Sequence, residues 1–136
     1  MEKELAEYFN PQQEYYLEKI EYQRIDSTPV PKELSLNVKD NINVELVPGG
    51  VKLTIARVLQ FDPREVFYLF VSFGAILQFN DEGKNIDWGT IDIINEFKSS
   101  GDFATVNLMS RISLLIGQIT SSFGQQPIIL PGVIGR

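Results

Sequence analysis

From Leu34 to Leu46 the chain alternates. Leu34, Leu36, Val38, Ile42, Val44 and Leu46 fall on one side of an extended backbone; Ser35, Asn37, Lys39, Asn41, Asn43 and Glu45 fall on the other. Successive side chains of a strand point to opposite faces, so the pattern specifies a strand with one buried and one wet side. A helix would scatter the same apolar residues around its circumference. Asp40 is the single interruption and is expected to mark a bulge or bend. Pro48-Gly49-Gly50 supplies a turn, and Val51, Leu53, Ile55, Leu59 and Phe61 return in phase, which predicts a hairpin.

The next extended stretch, Val66 to Phe79, obeys a different rule. Phe67, Leu69, Val71, Phe73, Ala75, Leu77 and Phe79 make one apolar face, while Val66, Tyr68, Phe70 and Ile76 place large apolar groups on the other. A strand apolar on both sides needs cover on both. Burying one such side chain is worth roughly 1.5–3 kcal/mol, so exposing several forgoes a large term. The helices of a 136-residue chain can cover one face only, which assigns Val66, Tyr68, Phe70 and Ile76 to an oligomer interface or to a bound partner, with oligomer packing favoured.

An earlier strand is expected over Tyr15 to Ile25, with Tyr16, Ile20 and Tyr22 on one face and Glu18 and Arg24 disturbing it. The connection Ser27 to Glu33 contains Pro29 and Pro31, which bar ladder pairing and make it too stiff for a tight hairpin; it is expected to cross over other structure. Residues 1–14, polar with scattered Leu5, Tyr8 and Phe9, are expected as an arm or one frayed helix ahead of a single domain over 15–136. Two helices close the chain. Asp87 is expected to cap a short one carrying Trp88, Ile91, Ile94 and Phe97 and ending at Gly101. A longer one, from about Asp102 to Phe123, carries Val106, Met109, Ile112, Ile116, Ile119 and Phe123 at helical spacing. The tail from Gln126 to Ile134 is extended and apolar, with prolines at 127 and 131. The fold class is therefore α+β, a four-stranded antiparallel sheet followed by two C-terminal helices, oligomerising through sheet and helices.

Absences narrow the chemistry. The chain contains no Cys and no His, which removes thiolates, Cys-ligated zinc and the commonest general base. With no catalytic constellation among the remaining residues, a non-enzymatic role without cofactor or metal is expected. Asp81, Glu82 and Asp87 lack the spacing of a cation-binding loop and are read as a solvated turn. Arg111 fits a structural ion pair. The net charge of −6 argues against nucleic-acid or anionic membrane partners, which are held by clustered Lys and Arg. The acidic N-terminus lacks an apolar signal core and no run approaches the ~20 residues of a membrane helix, so a cytoplasmic location is expected.

The order of four strands, two helices and an extended apolar tail resembles the SecB family of bacterial export chaperones over roughly Tyr15 to Ile134. Phe67-Tyr68-Leu69-Phe70-Val71-Ser72-Phe73-Gly74-Ala75-Ile76 looks like the family's fourth strand, Asn107-Leu108-Met109-Ser110-Arg111 like the start of its long helix, and Pro127-Ile128-Ile129-Leu130-Pro131 like its terminal segment. The resemblance implies an ATP-independent holdase that binds unfolded or export-bound polypeptides in apolar grooves, assembled as a homotetramer, a dimer of dimers. It places Pro29, Val30, Pro31 and Leu34 on one wall of the groove and Phe123, Ile128 and Leu130 near the other. Ile128 to Leu130 also fits a strand-like plug over the core. The family further implies the SecA motor as a partner. Its acidic docking position on the fourth strand falls on Phe70 here, which counts against that contact and leaves room for a dedicated chaperone, for instance of an antitoxin, or a SecB-like scaffold. Enzymes of the hot-dog kind and cystatin-like modules place their helix among or before the strands, an order this chain does not follow.

Overall fold

The computed structural model describes residues 3–25, 35–62, 66–122 and 128–132. Four long strands, β1 (Glu14–Ile25), β2 (Ser35–Val47), β3 (Gly50–Asp62) and β4 (Val66–Gln78), precede two helices, α1 (Ile93–Ser100) and α2 (Asp102–Ser121). The sheet runs β1-β4-β3-β2 and every pair is antiparallel. The expected sheet followed by two helices is thus present. β1 and β2, consecutive in sequence, stand at opposite edges and form no hairpin, in line with the expectation for a connection carrying two prolines; residues 26–34 themselves lie outside the described ones.

The β2–β3 hairpin turns at Pro48-Gly49, where Gly49 takes φ 77°, a conformation open to glycine at little cost. Its register runs unbroken from Val47 opposite Gly50 to Ser35 opposite Asp62. Asp40 therefore marks no bulge. It lies in phase with the apolar residues of β2, opposite Arg57, whose charge lets a carboxylate occupy the core face.

The bulge is in β1, between Leu17 and Lys19. The extra residue, Glu18, changes the phase of the strand. Tyr15 and Leu17 join Ile20 and Tyr22 opposite the core-facing residues of β4, and Tyr16 moves to the other face. The expected grouping of Tyr16 with Ile20 and Tyr22 fails for this reason. On its own face the Tyr16 ring lies over Gly74, where an added Cβ would stand 2.5 Å from the ring carbon Cζ; the glycine makes room for the tyrosine.

The core lies between one sheet face and the helices. Val51, Leu53, Ile55 and Leu59 of β3 and Leu69, Val71, Ala75 and Leu77 of β4 are fully buried with Leu108, Met109, Ile112 and Ile116 of α2. The segment before β1 contributes Leu5, Tyr8 and Phe9 to this core. It forms a 3-10 turn over Leu5–Tyr8, and Asn10 N–H donates to the Gln78 carbonyl at 2.8 Å. Phe9 stands within 6 Å, between ring centres, of Phe79, Trp88, Phe97 and Phe103.

The helix boundaries differ in part from expectation. α1 is capped by Asp92, whose side chain accepts from Asn95 N–H, whereas Asp87 makes no side-chain cap. Trp88 instead belongs to a separate 3-10 turn, with its indole N–H donated to the Gly83 carbonyl at 2.8 Å. Gly101 ends α1 as expected. In α2, Val106 is 41% exposed rather than part of the buried stripe. Six residues before Ile112, it stands about 120° around the helix from the buried side, and Thr105 faces the core in its place.

Candidate peptide-binding surface

α2 lies over β3 and β4, so the outer strands β1 and β2 extend past its two flanks. On the β1 flank, Leu17, Ile20 and Tyr22 share the helix-bearing face yet remain 48%, 43% and 44% exposed. At one end of this strip the Arg111 guanidinium stands 5.2 Å from the centre of the Tyr15 ring, a cation–π contact, while its Nε donates to Asn107 Oδ1 at 2.6 Å. Leu115 and Ile119, one and two turns beyond Arg111, are half-buried on the same side of α2. Exposed apolar residues of β1 thus lie beside the half-buried flank of α2.

On the β2 flank Val38 and Leu46 are likewise 41% and 44% exposed, but the surface beside α2 is occupied by the chain itself. Residues 128–132 lie along α2 and run antiparallel to it: Ile128 N–H donates to Thr120 Oγ1 at 2.8 Å, the Pro131 carbonyl accepts from Ser113 Oγ at 3.1 Å, and Gly132 lies against Ser110. Ile128 and Leu130 pack against the core, and Ile129 between them is 77% exposed. This is the period-two pattern of an extended chain with one face seated.

Beneath the segment lies a charged group buried in the core face. Arg57 and Asp40 have side chains 2% and 1% exposed. They form two parallel hydrogen bonds, Nε to Oδ1 at 2.7 Å and Nη2 to Oδ2 at 2.8 Å. The remaining nitrogen, Nη1, donates to Ser113 Oγ at 3.0 Å and to the Pro131 carbonyl at 2.9 Å. The planar fork of arginine permits this division: one edge for the carboxylate, one for a helix hydroxyl and a backbone oxygen.

The opposite sheet face carries no described helix. Val66, Tyr68, Phe70 and Ile76 lie there with Tyr16, Ile25 and Val58, all half-buried among themselves and their β1 and β3 neighbours. Lys19 Nζ stands 5.8 Å from the centre of the Phe70 ring. Among the described residues no helix is long and apolar enough to cross a membrane.

In sequence, no protein-family model and no curated protein matches the chain. In structure, the Mycobacterium tuberculosis Rv1957 SecB-like chaperone, solved in complex with a ChAD peptide from the Rv1956 HigA1 antitoxin, superimposes with a TM-score of 0.71 over 95% of this chain and 90% of that one, at 16% identity. The chain has the SecB-like fold. A protein of unknown function from Streptococcus agalactiae aligns over 88% of this chain and 95% of its own, with a TM-score of 0.46 and 14% identity. At such identities the SecB-like likeness resides in strand order, helix placement and the burial they impose.

Within this SecB-like framework, Pro29, Val30, Pro31, Leu34 and Phe123, expected as groove residues, lie outside the described residues. Ile128 and Leu130 come together on the β2 flank of α2. Val66, Tyr68, Phe70 and Ile76 share one face, as the alternation requires. Sequence reading grouped Ile20 with Tyr22 but missed Leu17 as their neighbour on that face, because the Glu18 bulge shifts its phase. It also missed Arg57, whose signal was present: Arg57 interrupts the apolar phase of β3 as Asp40 interrupts that of β2, at equal distances from the turn.

Proposed function

We propose that this chain is an ATP-independent holdase that keeps unfolded or export-bound polypeptides soluble, acting as a cytoplasmic homo-oligomer. The observation that carries the reading is the exposed apolar strip of Leu17, Ile20 and Tyr22 beside α2, on a SecB-like fold. An unfolded chain offers apolar side chains and unpaired backbone groups; an apolar strip between a strand and a helix takes the former without demanding a particular sequence. Each contact is weak, and affinity accumulates when one long client engages several subunits. Pro29, Val30, Pro31, Leu34 and Phe123 extend the client surface, together with Ile128 and Leu130. Val66, Tyr68, Phe70 and Ile76 join protomers, in a tetramer built as a dimer of dimers.

A dedicated chaperone is the second reading, favoured by the antitoxin peptide bound to the Rv1957 SecB-like protein and by Phe70 at the position where an acidic residue would dock the SecA motor. Aggregation of a denatured client, followed by light scattering without nucleotide, tests the holdase activity. Equimolar chain is expected to suppress it; Val30→Asp with Phe123→Asp is expected to lose most of that suppression while the assembly keeps its size. Undiminished aggregation at excess wild-type chain would overturn the reading.

A further inference from the structure

The geometry points to the groove between α2 and the β2–β3 hairpin as a second peptide site, occupied in this protein by its own residues 128–132, which a client segment of the pattern apolar–any–apolar displaces. The inference rests on the holdase reading and changes the role of Ile128 and Leu130 within it, from groove walls to resident occupant.

The segment is bound as a peptide ligand is bound. It has no helical or strand structure and lies in an extended course with Ile128 and Leu130 turned to the core and Ile129 outward. Its main chain is held by hydrogen bonds at both ends, an N–H given to Thr120 and a carbonyl accepting from Ser113 and Arg57. None of these depends on the segment's own side chains, so any extended chain can make them. The groove is shaped for close approach: a Cβ at Gly117 would stand 3.3 Å from Ile129 Cδ1 and 3.8 Å from the Ile128 carbonyl. The donor set is held in place, because the bidentate pair with Asp40 fixes the plane of the Arg57 guanidinium. Pro131 supplies a carbonyl where no N–H is used, so the site tolerates proline at that position.

A resident segment competes with an incoming one, and the apparent affinity for client falls by the fraction of time the groove stands open. Two manipulations of the full-length chain move that fraction in opposite directions. The chain has no cysteine, and a Cβ at Gly132 would stand 3.5 Å from Ser110 Cα. Ser110→Cys with Gly132→Cys therefore allows the segment to be locked by oxidation and freed by reduction. Ile128→Ser with Leu130→Ser weakens the occupant and leaves the groove intact. The probe is a fluorescein-labelled, cysteine-free synthetic peptide with a central Ile-Thr-Leu-Pro flanked by lysines, read by anisotropy. Trp88 fluorescence verifies folding. Oxidation is expected to weaken probe binding by about tenfold, reversed by reduction, and the serine pair to tighten it by about three- to tenfold. Equal binding by the oxidised and reduced forms, or weaker binding by the serine pair, overturns the inference while leaving the holdase standing. A wild-type chain that binds neither the probe nor a denatured client overturns both.

Discussion

Arg57 and Asp40 place two full charges on a sheet face that is otherwise apolar. Removing an ion from water costs several kcal/mol, and the pair recovers this through bidentate geometry and the further bonds to Ser113 and Pro131. Single substitution leaves the other charge buried and unpaired. Arg57→Met alone or Asp40→Leu alone is expected to cost about 3–5 kcal/mol, and the double substitution to recover most of that loss. Urea unfolding followed through Trp88, the single tryptophan, measures it: the indole is 6% exposed and stacked on Phe79. The pair could have been read from the sequence. Asp40 and Arg57 each stand seven residues outward from the Val47–Gly50 pair that closes the turn, so a two-residue hairpin loop places them opposite each other. Reading Asp40 as a bulge treated a single strand's pattern in isolation, where a charge on an apolar face looks like a defect; across the hairpin it is half of a pair. The tail's contact with Arg57 had no such signal, because it joins residues 74 apart through tertiary packing.

At the scale of elements, strand alternation was the most legible feature. β2, β3 and β4 lie within a residue or two of their expected limits, since period-two patterns depend only on local backbone geometry. β1 was less legible because one inserted residue, Glu18, reverses the face of everything before it; the visible symptom was imperfect alternation. The start of α1 was misplaced by several residues, since Asp87 and Asp92 are equally good caps in sequence and only the 3-10 turn at Trp88–Thr90 separates them. β4 carries the prediction that belongs here. Its second face presents Val66, Tyr68, Phe70 and Ile76 without a described helix above it. Tyr68→Glu with Phe70→Glu is expected to reduce the mass measured by light scattering to that of a smaller species, with Trp88 still buried. A wild-type chain that is monomeric at micromolar concentration would contradict the assignment of this face to an interface.

For the whole molecule, the arrangement is asymmetric about α2. Both outer strands leave apolar residues nearly half exposed, and on the β2 flank the chain's own extended segment also lies along the helix. The core that supports both is anchored away from them, where Leu5, Tyr8 and Phe9 of the N-terminal turn join Phe79, Trp88, Phe97 and Phe103. Their inclusion in the core was hidden in a polar stretch, because three apolar residues among charges give no periodic signal. The proposed holdase role requires such a division, since client would be bound without loss of the protein's own packing. Direct binding tests that division most plainly. The wild-type chain, without nucleotide, is expected to bind the denatured form of a labelled polypeptide and to leave its native form unbound, as measured by equilibrium fluorescence titration. Equal affinity for the two forms, or none for either, would contradict the holdase reading.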